Sequence, residues 1–132
     1  MDLLDGCICE IHTEINTKIN TEIHTKIIGC KTVRETNGVA FSSRNFNLNK
    51  KQMKIAKNVY NYLIKIKKKT KKNFRLFNSL LFKKDLIKLG VNKIDYLEII
   101  NLRSLSRPRK LKESFNIFIA YYLNKVRLID NI

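Results

Sequence analysis

The chain has 132 residues, one domain's worth of material, with 44% apolar side chains and a formal net charge of +16. No apolar run is long enough to span a membrane. Three cysteines, Cys7, Cys9 and Cys30, are too few and too unevenly placed for a disulfide framework. Taken alone, the charge points to nucleic acid or an acidic membrane surface. However, Lys, Asn, Ile and Tyr, the residues of A/T-rich codons, crowd the whole chain. Codon drift alone would produce such a charge, so the charge does not by itself make nucleic acid the expected partner. The N-terminus, MDLLDGCICE, is acidic and has no basic segment ahead of an apolar one. It does not read as a signal peptide, and the cytoplasm is the expected compartment.

Residues 1–26 contain a tetrapeptide repeat, EIHT EINT KINT EIHT. In a strand, Ile and Thr would share one face and Glu, His, Asn and Lys the other. Thr and Asn are poor helix formers, so the repeat reads as a strand or as a low-complexity segment without order. His12 and His24, with the cysteines, match no zinc spacing, and no metal site is expected. Ile27–Cys30 reads as a short buried strand.

Lys31 to Asn45, KTVRETNGVAFSSRN, reads as a loop. Its Ser, Asn and Gly residues suit ordinary turns. They suit a phosphate grip equally, because hydroxyls, backbone N–H groups and an Arg fork can surround an anion. Asn49 then opens a helix, with Gln52 completing a capping box. Ala56, Val59, Tyr60, Leu63 and Ile64 form its apolar stripe, and its lysines lie mostly off that stripe. Lys67–Lys72 reads as a charged connector. A second helix is expected over Asn73–Leu89, burying Phe74, Phe77, Leu80, Leu81 and Ile87, with Gly90 ending it. Lys93–Leu102 reads as a strand in which Ile94, Tyr96, Glu98 and Ile100 alternate with Asp95, Leu97 and Ile99. A basic loop broken by Pro108 precedes a second strand, Ser114–Tyr122. Asn124 suits a turn, and Val126–Ile132 closes the chain as a tail. The expected class is α+β, two helices packed on a small antiparallel sheet.

Three separated segments together resemble the pantoate–β-alanine ligase (pantothenate synthetase) family. Thr32-Val33-Arg34-Glu35 followed by Asn37–Asn45 is similar to that family's TVRE…DGLAMSSRN signature. Ile94–Ile99 is similar to its (V/I)DYxEI strand. Arg127–Asn131 is identical to its RLIDN ending. The resemblance covers about residues 27–132. It implies a last strand and ATP-binding loop of a Rossmann-like nucleotide-binding domain at 27–45. It also implies the C-terminal ligase domain at 46–132. The family's HIGH-like motif and pantoate-binding residues have no counterpart here, so no catalytic residue is assigned and a truncated C-terminal fragment is expected.

By position, the resemblance implies that Ser42 and Ser43 donate to ATP phosphates and that Arg44 lines the same site. Val33 and Phe41 would touch the nucleotide, largely through backbone. The implied reaction condenses pantoate with β-alanine through pantoyl adenylate, with ATP as substrate and Mg²⁺ accompanying it. The family's homodimer contacts lie mainly in the part without a counterpart. Phe41 stands where Met is usual, Asn37 replaces Asp, and Asn124 replaces a turn Gly; none of these removes a phosphate donor. Two other readings stay open. One is a small basic nucleic-acid-binding module using Lys50 to Lys72. The other is an inactive relic, or a piece that completes a separately encoded ligase half.

Overall fold

The computed structural model describes residues 31–111 and 113–132. The tetrapeptide repeat, its histidines, the cysteines and the strand expected at Ile27–Cys30 lie outside the described residues. Two helices, α1 (Lys50–Thr70) and α2 (Ser79–Lys88), precede three strands. The strands are β1 (Lys93–Ile100), β2 (Asn116–Leu123) and β3 (Val126–Asn131), forming one antiparallel sheet in the order β1-β2-β3. The class is α+β, as expected. No helix among the described residues is long and apolar enough to cross a membrane.

Both exchanged bonds of the capping box start α1. Gln52 N–H donates to Asn49 Oδ1 at 2.9 Å, and Asn49 N–H donates to Gln52 Oε1 at 2.8 Å. The helix then runs to Thr70, through much of the segment expected to be a connector. Its buried residues explain why: Ala56, Val59, Leu63, Ile66 and Thr70 keep one face against the core to the last turn. Thr70 is fully buried, and its hydroxyl donates to the Ile66 carbonyl at 2.8 Å. Lysines in the last turn suit the negative end of the helix dipole. Lys67 is not simply solvated. Its amine donates to Asn116 Oδ1 at 2.8 Å and to the Ile132 backbone oxygen at 2.6 Å, tying the helix to the sheet's end.

The second helix is shorter than expected, because two asparagines interrupt it. Asn73 caps a 3-10 turn at Phe74–Leu76, and Asn78 caps α2 by accepting from Leu81 N–H at 3.0 Å. Short Asn side chains compete with helical hydrogen bonds in this way. Starting at Ser79 changes which residues face inward. Phe82 and Leu86 are buried, along with Phe74 and Phe77 from the turn, whereas Leu80, Leu81 and Ile87 are exposed. The expectation that those three form the buried side is corrected here.

The sheet holds two further corrections. A bulge between Ile94 and Tyr96 shifts the β1 register, so Ile94 packs against the core with Leu97 and Ile99 instead of alternating with them. The bulge leaves Asp95 outside, where it accepts from Arg127 Nε of β3 at 2.9 Å and meets Lys93 at 3.2 Å. The C-terminal segment is not a tail. Val126–Asn131 pairs along β2, turning at Asn124, whose φ of 54° is left-handed. Asn124 N–H is held by Asn92 Oδ1 at 2.7 Å.

Leu97, Ile99, Ile117, Ile119, Leu123 and Leu128 line the inner face of the sheet in one cluster with the helix stripes. α1 packs on β2 and α2 on β1. Leu63 sits at 0% exposure in this cluster. Leu63→Ala is expected to lose about 2–5 kcal/mol in chemical denaturation, through lost burial plus the cavity it leaves.

The Asp95 pair sets a pH signature. The hydrogen bond from Arg127, then the charge and hydrogen bond of Lys93, hold its carboxyl below the ordinary carboxylate range. A depressed carboxyl contributes stability above its unfolded-state value and loses it as pH falls through the folded value. Thermal unfolding of Asp95→Asn should therefore converge with wild type in acid and fall below it near neutrality.

Candidate nucleotide-binding loop

The segment Thr32–Asn45 is a tight, doubled-back loop. Phe41 N–H donates to the Val33 carbonyl at 2.9 Å, Glu35 N–H to Val39 at 2.8 Å, and Gly38 N–H to Glu35 at 2.8 Å. An isolated bridge pairs Arg34 with Ala40. Gly38 is needed at the bend for two reasons. Its φ is +90°, and a Cβ there would lie 2.3 Å from the Tyr60 ring of α1. The loop therefore sits directly on that ring.

Arg34 fixes the loop to the sheet. Its two terminal nitrogens donate to the two carboxylate oxygens of Asp130, each at 2.9 Å. One also donates to the Asn131 carbonyl at 2.7 Å and the other to the Gly38 carbonyl at 3.1 Å. The guanidinium lies 4.8 Å from the Tyr60 ring centroid, within cation–π reach. Asp130 is largely buried, with its side chain at 9% exposure against 20% for Arg34. Beside the pair, the Tyr121 hydroxyl is pushed well above the usual phenol range, first by burial and then by the Asp130 charge. Thr32 adds a hydroxyl bond to Asn131 Oδ1 at 3.0 Å.

Asn45 closes the loop from its other end. Its side-chain nitrogen donates to Glu35 Oε1 at 2.6 Å and to the Ala40 carbonyl at 3.0 Å. Between these anchors runs a 3-10 turn, Ser43–Asn47, capped by Ser42, whose Oγ accepts from Arg44 N–H at 3.3 Å. That bond uses a lone pair of Ser42 and leaves its hydroxyl proton for another acceptor. Ser43 and Arg44 are exposed.

Of the five residues singled out from the sequence, Val33 and Phe41 stand side by side across the bridge. They are 70% and 56% exposed, an apolar ledge beside the Ser42–Arg44 turn. All five thus lie within one doubled-back segment and the turn that follows it. The cavity beneath that segment, lined by Ser42, Arg44, Asn45, Tyr60 and Asp130 among others, has a volume of about 10 Å³. Such a space holds at most one water.

The anchoring residues were not singled out from the sequence. Arg34, Glu35, Asp130 and Asn131 sit inside the same short motifs, yet nothing in their spacing shows that they meet. The signal present was a carboxylate, Asp130, at an inward-facing strand position opposite Ile119. A charge placed there needs a partner. Removing either member of the clamp leaves the other uncompensated and partly buried, at a cost of about 3 kcal/mol. In thermal unfolding, Arg34→Ala and Asp130→Ala should each destabilise, and the double variant should lose clearly less than their sum.

The likenesses to known proteins follow the same segments. Residues 13–132 match the profile of the pantoate-beta-alanine ligase family. Pantothenate synthetase of Clostridium botulinum (strain Loch Maree / Type A3) is 38% identical over 109 residues, covering 80% of this chain and 38% of that protein. The pantothenate synthetase of Rhodopseudomonas palustris is 36% identical over 108 residues, again with 38% of its length covered. The solved pantothenate synthetase of Thermus thermophilus superposes with a TM-score of 0.62 at 26% identity, covering 81% of this chain and 39% of that one. Pantoate-beta-alanine ligase from Francisella tularensis, solved in complex with beta-gamma ATP and beta-alanine, gives 0.54 at 30% identity, covering 83% and 34%. The chain spans little more than a third of the length of these relatives, and with a profile match across nearly all of it, it belongs to the pantoate–β-alanine ligase family.

Proposed function

We propose that this chain carries the nucleotide-gripping loop and C-terminal ligase domain of an enzyme that condenses pantoate with β-alanine at the expense of ATP. The observation that carries the reading is the anchored loop. Ser43 and Arg44 are exposed and half-buried Ser42 caps their turn, beside the Val33–Phe41 ledge, with the backbone behind them fixed by Arg34 and Asn45. Hydroxyls, turn N–H groups and a guanidinium on a fixed backbone suit a polyphosphate, because they need little reorganisation when charge develops. The Francisella tularensis relative, complexed with beta-gamma ATP and beta-alanine, supports ATP and β-alanine as substrates here as well.

In this reading, a pantoate carboxylate oxygen attacks the α-phosphorus of ATP, and pyrophosphate leaves. The amine of β-alanine then attacks the acyl carbon of pantoyl adenylate, giving pantothenate and AMP. Ser42 and Ser43 donate to phosphate oxygens, Arg44 lies along the same anion, and Val33 and Phe41 contact the nucleoside. Among the described residues, no three His, Cys, Asp or Glu side chains cluster as a metal site. Mg²⁺ would arrive with the nucleotide, held by its phosphates and neutralising part of their charge. Residues 27–45 would belong to the nucleotide-binding portion and 46–132 to the C-terminal ligase domain. Alignment of pantoate and any homodimer contacts fall to portions with no counterpart in this chain. The cytoplasm is the compartment that goes with this chemistry.

Titration with Mg·ATP, followed by amide NMR, tests the reading. Resonances of Val33, Ser42 and Ser43 should shift at millimolar nucleotide, while those of β2 hold still. Replacing both serines with alanine should weaken binding about tenfold or more, since each removes a hydrogen bond to a charged acceptor. An unchanged spectrum at millimolar ATP would contradict the proposal.

A further inference from the structure

The lysines of α1 are arranged, not merely abundant. Lys50, Lys54, Lys57, Lys65 and Lys68 recur at helical spacing with Asn61 between them, and all are exposed. They form a single ridge opposite the buried stripe of Ala56, Val59, Leu63 and Ile66. Over 21 residues that ridge is about 30 Å long. α1 contains no carboxylate, and among the described residues none of these five lysines has an ion-pair partner. Like charges at this spacing destabilise a helix slightly, so helix stability alone does not explain the ridge.

A second basic feature, one that only folding assembles, includes a residue that follows the ridge closely in the chain. Just beyond Lys71 and Lys72, Arg75 lines a cleft of about 510 Å³ together with Phe74, Ser106, Arg107, Pro108 and Arg109. The three arginines are exposed, and no carboxylate pairs with their side chains among the described residues. The Arg109 backbone N–H donates to Glu113 Oε2 at 3.1 Å, which fixes the backbone of this basic loop. Guanidinium forks suit phosphate oxygens better than ammonium groups do. Arg75 and the Arg107–Arg109 pair come from segments far apart in sequence, so a lysine-rich codon bias does not explain their meeting.

We propose that the lysine ridge of α1 and the Arg75–Arg107–Arg109 cleft form one docking surface for the phosphate backbone of a nucleic-acid duplex. A row of cations along one helix face, followed in the chain by Arg75 of an arginine cleft, fits a regular linear polyanion. Along the ridge an anionic membrane fits less well, because its positions carry only Lys and Asn; the exposed leucines Leu76 and Leu111 adjoin only Arg75 and Lys110 in the chain. Contacts to phosphate alone carry no sequence information, so the binding is sequence-independent. The surface is separate from the Val33–Arg44 loop, and this inference does not depend on ATP binding.

Fluorescence anisotropy with a labelled DNA duplex of about 20 base pairs tests it, between about 50 and 200 mM salt. The logarithm of the binding constant should fall with the logarithm of salt at a slope of about −4 or steeper, as counterions are released. Arg107→Gln/Arg109→Gln and Lys54→Gln/Lys57→Gln should each weaken binding about tenfold, with unfolding temperatures unchanged. Lys84→Gln/Lys88→Gln on α2, which removes the same charge elsewhere, should leave it unchanged. Equal weakening by all three pairs would overturn the proposal in favour of non-specific charge. So would a flat salt response, or association with phosphatidylserine vesicles but not with the duplex.

Discussion

Arg34 and Asp130 stand 96 residues apart in the chain and meet through two parallel N–H···O bonds. Much of the arrangement around the loop depends on that meeting. A guanidinium and a carboxylate lose hydration when they are brought together under a loop, and only good geometry recovers the cost. Here the geometry is bidentate, and the other two terminal N–H groups are taken by the Gly38 and Asn131 carbonyls. The clamp also explains the neighbours. Tyr60 supplies the face on which the guanidinium rests, and Gly38 leaves room for that ring. β3 must pair along β2 for Asp130 to lie in reach, and Lys67 of α1 ties down the end of the same sheet.

A loop so anchored differs from an ordinary surface connection, which is mobile and held only at its ends. The backbone from Val33 to Asn45 is bonded to itself, and the Arg34 side chain holds it to β3 and against Tyr60 of α1, while Val33, Phe41, Ser43 and Arg44 remain outside. Stability and exposure are thus divided between neighbouring residues of one segment. This division is what a binding surface requires: the groups that meet a ligand are held in place by groups that do not.

The sequence carried the helix start at Asn49, the β1 strand and the turn at Asn124 openly, because each rests on a local rule: a cap, an alternation, a tolerated left-handed backbone. It also carried the loop, through short motifs whose resemblance to a ligase family the profile match bears out. What it hid was non-local or a matter of phase. The end of α1 was obscured because lysines dominate Lys67–Thr70, although Ile66 and Thr70 still face the core. Asn78 restarted a helix that looked continuous, and so turned Leu80, Leu81 and Ile87 outward. A bulge at Asp95 reversed the side taken by Ile94. The Arg34–Asp130 pair was invisible for a different reason: each residue is ordinary in its own segment, and only β-sheet pairing brings them together.

The central claim is that the Val33–Asn45 loop is a fixed part of the domain, held by the Arg34–Asp130 clamp. Amide hydrogen exchange measures this directly. The N–H groups of Glu35, Phe41 and Asn45, each bonded within the loop, should exchange only in openings as costly as those that free β3. In Asp130→Asn, which keeps the shape but removes the charge, their protection should collapse while that of β1 and β2 persists. Exchange of these amides at free-loop rates in the wild-type protein, with the strands still protected, would contradict the account.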